Sequence, residues 1–261
     1  GLGGRRRPPP GAGAPPPRGG RPRLGCPGVT HDTATMDAIR TADSSALSSA
    51  CAVAGDGRLR RGAALKFFWG PMDCGKSTMA LQMNYNHARQ GRHGLVLTRI
   101  DRSLQPRVTS RIGLAHEAIE VTDDLDLRAL VRRRWADGHR LDYLICDEVC
   151  FYTVAHVEQM AELVDSYDID VFAFGLASDF RSHLFPAARR LFELADEVAR
   201  IQVEVLCWCG RPGQLNARVV DGVVVRHGEQ VVIGDTAQSA EVRYQVLCRR
   251  HYRTGDLGPR R

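Results

Sequence analysis

The sequence predicts an α/β fold, a parallel sheet flanked by helices, followed by a small subdomain stapled by metal. Three observations predict it. From Leu65 onward, short apolar runs alternate with helix-spaced apolar positions, the pattern of β-α-β units. A glycine-rich loop, Gly70 to Ser77, falls between the first run and the first helical period, and cysteines cluster near a histidine late in the chain.

The elements follow in order. Leu65 to Trp69 reads as a strand, and Ser77 to Gln90 as a helix with Met79, Met83 and His87 on one side and Gly91 as its stop. Leu95 to Ile100 is a second strand, and Val121 closes a third. Leu127, Leu130, Val131 and Trp135 have helical spacing. Leu141 to Cys146 is a buried strand ending in Asp147 and Glu148. Val157, Met160, Ala161 and Val164 mark another helix, and Ile169 to Gly175 another strand. Leu191, Leu194, Ala195 and Val198 read as a helix leading into a strand over Ile201 to Leu206. That makes five or six strands. The expected organisation is a disordered tail over 1–62, an α/β domain over 63–206, a zinc-binding subdomain over 207–252 and a second tail over 253–261. The first tail is Pro/Gly/Arg-rich and then Ala/Ser/Thr/Asp-rich, with too little apolar surface to offset the entropy of ordering. The chain opens on Gly1, and Met36 is a candidate start.

Gly70-Pro71-Met72-Asp73-Cys74-Gly75-Lys76-Ser77 fits G-x-x-x-x-G-K-[ST], placed after a strand and before a helix as phosphate binding requires. This is the phosphate loop of the P-loop NTPases, and the expected sheet is of the RecA-like kind. Backbone amides and the helix N-terminus cradle phosphate oxygens. Lys76 reaches the β- and γ-phosphates of ATP, and Ser77 ligates magnesium.

Asp147 ends a strand of the type that carries the acid for that magnesium, and Glu148 follows at the carboxyl edge of the sheet. A carboxylate there can polarise water in an ATPase or a hydroxyl in a kinase. The Asp-Glu pair alone does not separate the two. Cys207, Cys209, Cys248 and His251 form two close pairs whose three thiolates and imidazole suit a closed tetrahedral zinc site. Chance clustering of free thiols is the competing reading.

Composition excludes several classes. The formal charge of +6 comes largely from Arg5, Arg6, Arg7, Arg18, Arg21 and Arg23, so a basic face for nucleic acid is not expected. No apolar run approaches the roughly 20 residues that span a bilayer. No export signal is visible, so the eight cysteines point to metal or redox chemistry in the cytoplasm rather than to disulfides.

Four stretches in order, Phe68 to Thr78, Cys146 to Phe151, Gly175 to Arg181 and the Cys/His pairs, resemble the type II thymidine kinases over about residues 65–252. The Met72-Asp73-Cys74 and Cys207-Trp208-Cys209 forms look actinobacterial. The resemblance implies transfer of the γ-phosphoryl group of ATP to the 5′-hydroxyl of thymidine, with magnesium, in a homotetramer. It implies Glu148 as base, Lys76 as a catalytic cation and Asp147 at the magnesium. It places the base pocket at Met72, Phe151, Leu176, Phe180 and Phe185. A lasso-like lid over Arg218 to Tyr244 is implied to read the base through the backbone of Val232, Ile233, Gly234 and Asp235, with Tyr244 on the sugar. Arg102 and Arg111 are implied phosphate contacts, with Asp101 beside them. Three positions depart from the family pattern: Cys150 where glutamine is common, Ala177 where aspartate is frequent, and Asp101-Arg102 without the usual spacer. A P-loop ATPase with a zinc ribbon for a nucleic-acid or protein partner is the alternative.

Overall fold

A computed structural model describes residues 62–99, 107–110, 113–228 and 242–259. Arg102, Arg111, Asp101 and Val232 to Asp235 lie outside the described residues, as does the expected N-terminal tail apart from Gly62.

In chain order the elements are β1 (Leu65–Trp69), α1 (Lys76–Arg89), β2 (Gly94–Thr98), β3 (Arg107–Thr109), β4 (Ala115–Glu117), β5 (Ile119–Glu120), α2 (Leu127–Ala136), β6 (Tyr143–Cys146), a 3-10 turn (Val149–Phe151), α3 (Val154–Tyr167), β7 (Asp170–Gly175), α4 (Pro186–Leu194), β8 (Glu197–Arg200), β9 (Leu215–Val220), β10 (Val223–Val225), β11 (Val242–Leu247) and α5 (Arg249–Thr254). Six strands form one parallel sheet in the order β5-β2-β6-β7-β1-β8. Alternation along each strand divides its side chains between two cores. Leu65, Phe67, Leu144, Val171 and Ala173 pack with α2, α3 and α4 on one face. Phe68, Val96, Ile145, Phe172 and Phe174 pack with Ala80 and Leu81 of α1 on the other.

Helix starts follow local chemistry. The Asp126 side chain accepts the amides of Arg128 and Ala129 to cap α2. Thr153 and His156 form a reciprocal capping box on α3, and His156 Nε2 lies 3.0 Å from the Leu125 carbonyl.

One segment differs from expectation. The positions Leu191, Leu194, Ala195 and Val198 do not make one helix, because α4 begins at Pro186 and ends at Leu194. The Asp196 carboxylate accepts Leu65 N–H at 2.8 Å while Asp196 N–H donates to Leu65 O. That pair of bonds draws the chain alongside β1, so Val198 lies in β8 and Ile201 to Leu206 is not a strand. The β3-β4 hairpin, paired from Arg107↔Glu117 to Thr109↔Ala115, was not foreseen.

The late subdomain is a three-stranded antiparallel sheet, β10-β9-β11, capped by α5. The tail expected from residue 253 does not begin there. α5 runs to Thr254, Trp208 donates its indole N–H to Asp256 O at 3.0 Å, and Gly258 packs against the Trp208 ring.

Candidate functional site

Parallel register assembles the site before any side chain is considered. Trp69 of β1 pairs with Gly175 of β7, and Cys146 of β6 with Ala173. The loops leaving β1, β6 and β7 therefore emerge side by side at the carboxyl edge, where open α/β sheets bind ligands. Those loops carry Gly70, Asp147-Glu148 and Leu176.

The loop after β1 turns sharply. A Cβ on Gly70 would lie 2.4 Å from Cys74 Sγ, and Asp73 and Gly75 both take left-handed backbone (φ 68° and 80°). Met79 N–H then reaches Gly75 O as α1 begins. Lys76 is buried, and its Nζ donates to Pro71 O at 2.9 Å, so the ammonium folds back along the loop. Met72 N–H is taken up by Asn216 Oδ1 at 2.9 Å. Among the expected phosphate-binding positions Gly70 to Ser77, Met72 thus directs its amide at a side chain of β9.

Asp147 is buried and takes the Glu148 amide at 2.9 Å. Burial pushes its carboxyl above the ordinary range, opposed by Ser77, the Glu148 amide and Lys76. Glu148 also stands in left-handed backbone (φ 53°), which swings its side chain out of the strand direction. Its carboxyl is pushed up to about 7, first by burial and next by the Asp147 charge, with Lys76 and the Cys150 thiol pulling the other way. Cys150 Sγ donates to Glu148 Oε2 at 3.7 Å. Burial holds that thiol protonated and hence a donor. A carboxyl poised near neutrality beside a phosphate loop can accept a proton from an alcohol.

The expected pocket residues divide into two groups. Phe151 and Phe185 meet edge to face at 5.4 Å between centroids, and Leu176 packs with them against the main core. Phe180 stands on the segment after Leu176, closed by the Ser178↔Leu184 bridge. Its ring lies under the Arg218 guanidinium at 3.6 Å, and Arg218 Nε donates to Tyr244 Oη at 3.0 Å. Tyr252 Oη donates to Phe180 O at 2.6 Å. The Asp179 carboxylate accepts Arg181 Nε and Nη2 and the amides of Arg181 and His183, which sets the turn.

Cys207, Cys209, Cys248 and His251 converge, with one ligand atom from each all within 4.8 Å of one another. Cys207 Sγ lies 3.4 Å from His251 Nδ1, and Cys209 Sγ 4.0 Å from Cys248 Sγ. Trp208 stacks on the His251 ring at 4.3 Å. The backbone N–H of His251 lowers the Cys248 thiol, favouring thiolate. Three sulfurs and one imidazole at this separation fit a tetrahedral zinc and leave no open position.

Sequence reasoning missed Asn216, Arg218 as a pocket strut, Tyr252 and the Cys150–Glu148 contact. Alternation along 215–220 marks a strand, but nothing local says that Asn216 and Arg218 are buried against loops far away in sequence.

Against known proteins, a family model for thymidine kinase matches residues 63–252. The thymidine kinase of Cutibacterium acnes is 53% identical over 196 residues, covering 75% of this chain and 91% of that protein. That of Streptomyces coelicolor is 52% identical over 190 residues, covering 72% and 88%. A thymidine kinase of Legionella pneumophila is 36% identical over 199 residues, covering 75% and 92%.

Proposed function

Because the chain belongs to the thymidine kinase family, we propose specific roles for its residues in the reaction that the family catalyses. The protein is an ATP-dependent nucleoside kinase that phosphorylates thymidine. Family membership decides between a hydroxyl and a water as acceptor, which the Asp-Glu pair left open.

The observation that carries the proposed roles is the placing of Glu148 directly after Asp147 at the sheet edge from which the phosphate loop also leaves, where burial and the Asp147 charge push its carboxyl up to about 7. In the proposed mechanism, amides of the loop and Lys76 hold the ATP phosphates. The 5′-oxygen of thymidine attacks the γ-phosphorus, the bond to the β-bridging oxygen breaks, and ADP leaves. The hydroxyl proton passes to Glu148, late in a loose transition state. Lys76 offsets charge on the transferred group. Ser77 and Asp147 are the residues that would hold magnesium. That ion supplies neutralisation of phosphate charge.

Phe151, Leu176 and Phe185, which pack together, are proposed with Met72 and Phe180 as the apolar residues that receive thymine. The lid contacts proposed for Val232, Ile233, Gly234 and Asp235, and the phosphate contact for Arg102, fall outside the described residues. Tyr244, held by Arg218, is proposed to touch the sugar. Cys207, Cys209, Cys248 and His251 would hold zinc, a fold-stabilising ion here. A cytoplasmic homotetramer without nucleic-acid partners completes the proposal. Among the described residues, no helix is long and apolar enough to cross a membrane.

The test is phosphoryl transfer from labelled ATP to a panel of nucleosides. Label should reach thymidine with wild type and be nearly abolished with Lys76→Ala. Undiminished transfer by Lys76→Ala would refute the role given to the loop.

A further inference from the structure

β9 sends alternate side chains to opposite sides, as any strand does. Ala217 packs into the small core with Cys207, Leu247, Cys248 and Tyr252. Asn216 and Arg218, on the other side, are polar and still only 4% and 3% exposed. Burying such groups costs free energy unless each finds a partner. Arg218 finds Phe180 and Tyr244. Asn216 finds the amide of Met72 inside the phosphate loop. An N–H can only donate, so the carboxamide must present its oxygen, which fixes its orientation.

The same residue sits close to the metal site. Asn216 pairs with Val246 of β11, Leu215 with Leu247, and the ligand Cys248 follows directly. From that ligand to the loop, the path is one strand pairing and one hydrogen bond. The loop is a segment that needs outside support. Asp73, which has a Cβ, stands in left-handed backbone immediately after Met72, a conformation that aspartate bears more readily than most residues but that contacts on the neighbouring amide help to hold.

We infer that Asn216 is a positioning residue through which the zinc staple sets the phosphate loop, so that ATP binding depends on a metal whose four ligands all lie outside that loop. Without the acceptor, Met72 N–H turns free and the left-handed step at Asp73 relaxes. The amides of the following residues then lose their common aim at phosphate. Loss of zinc acts in the same way, because β9 and β11 no longer hold Asn216 in place. The inference rests on the zinc reading above, but not on thymidine as substrate.

The test uses full-length, zinc-loaded protein, with amide hydrogen exchange over Gly70 to Ser77 and equilibrium binding of a fluorescent ATP analogue. Asn216→Ala should speed exchange in the loop and weaken ATP binding about fivefold to tenfold, the scale of one lost buried hydrogen bond. Chelating zinc from wild type should produce both changes, and chelating it from Asn216→Ala should weaken binding little further. Unchanged exchange and affinity in Asn216→Ala overturn the inference. So does a chelation effect as large in the variant as in wild type, or a purified wild type that holds no zinc. Should Asn216→Ala fail to fold, wild type with and without chelator decides, since loop exchange indifferent to zinc rules the coupling out. Neither readout needs turnover, so failure here is distinguishable from failure of the kinase assignment.

Discussion

Glu148 keeps its proton close to neutrality because burial and the Asp147 charge outweigh Lys76 and the Cys150 thiol. As a base it must be ionised, so kcat/KM for thymidine should climb as pH rises through about 7 and then level. A limb centred near 4.5 in the pH profile would show that the carboxyl is solvated instead. Glu148→Gln should lower kcat by roughly 10²–10⁴-fold with little change in ATP affinity, measured by steady-state rates and equilibrium binding. The same group bears on stability. Its folded value lies above the ordinary 4.5 of the unfolded chain. Its favourable contribution is therefore complete below about 4.5 and lost as pH rises through about 7. Glutamine imitates the protonated form at every pH. The melting temperature of Glu148→Gln should then pull ahead of wild type between pH 5 and pH 8, and a constant offset would contradict that. Cys150, which departs from the family pattern, keeps a donor on this carboxyl. Cys150→Ala should move the acid limb upward, and Cys150→Ser should restore it.

The proposed base, Glu148, is aimed by an element rather than by its own rotamer. The 3-10 turn carrying Val149 to Phe151 lies directly against the end of β7, where a Cβ on Gly175 would come within 2.8 Å of Val149 Cγ2 and 3.0 Å of Cys150 N. Backbone cannot yield cheaply there. Gly175→Ala should therefore displace Glu148 and Phe151 together, cutting kcat at least tenfold and raising the thymidine KM. ATP binding should persist, because the β1 loop is not touched, and a loss confined to ATP affinity would place the strain elsewhere. Local chemistry made most of these elements readable. β1 has the bounds read from sequence, and the other main-sheet elements through β7 fall close to theirs, because period and stop signals are properties of neighbouring residues. α4 and β8 were misphased because Leu191, Leu194, Ala195 and Val198 satisfy helical spacing by coincidence. The deciding bonds run from Asp196 to Leu65, across the sheet. The phosphate-loop motif, the Asp-Glu pair and the Cys/His cluster that converges in the structure were legible as spacing motifs. Asn216 was not, since its bond to Met72 spans the whole α/β domain and leaves no trace in its own neighbourhood.

At the scale of the whole molecule, two parts of unequal strength share the work. The α/β sheet has large cores on both faces. Among the described residues, the late subdomain has a small core of Cys207, Ala217, Leu247, Cys248 and Tyr252, with Val219 and Val246 also buried, and Cys207 and Cys248 belong to the proposed zinc site. Without the cysteines, Ala217, Val219, Val246, Leu247 and Tyr252 are a small apolar core against the entropy of ordering three strands and a helix. With the proposed zinc bound, metal binding would be part of the folding free energy of this region, as in small zinc modules. The consequences reach the pocket, since Tyr252 Oη holds Phe180 O and Arg218 covers the Phe180 ring. Cys248→Ala should release zinc, seen by elemental analysis, and split the calorimetric melt. The subdomain transition should fall or vanish, while the α/β transition stays within a few degrees of wild type because its cores are intact. Thymidine affinity should drop with the subdomain. A variant that loses its metal yet melts in one unshifted transition and binds thymidine normally would mean that the strands of the subdomain hold together on their own apolar contacts.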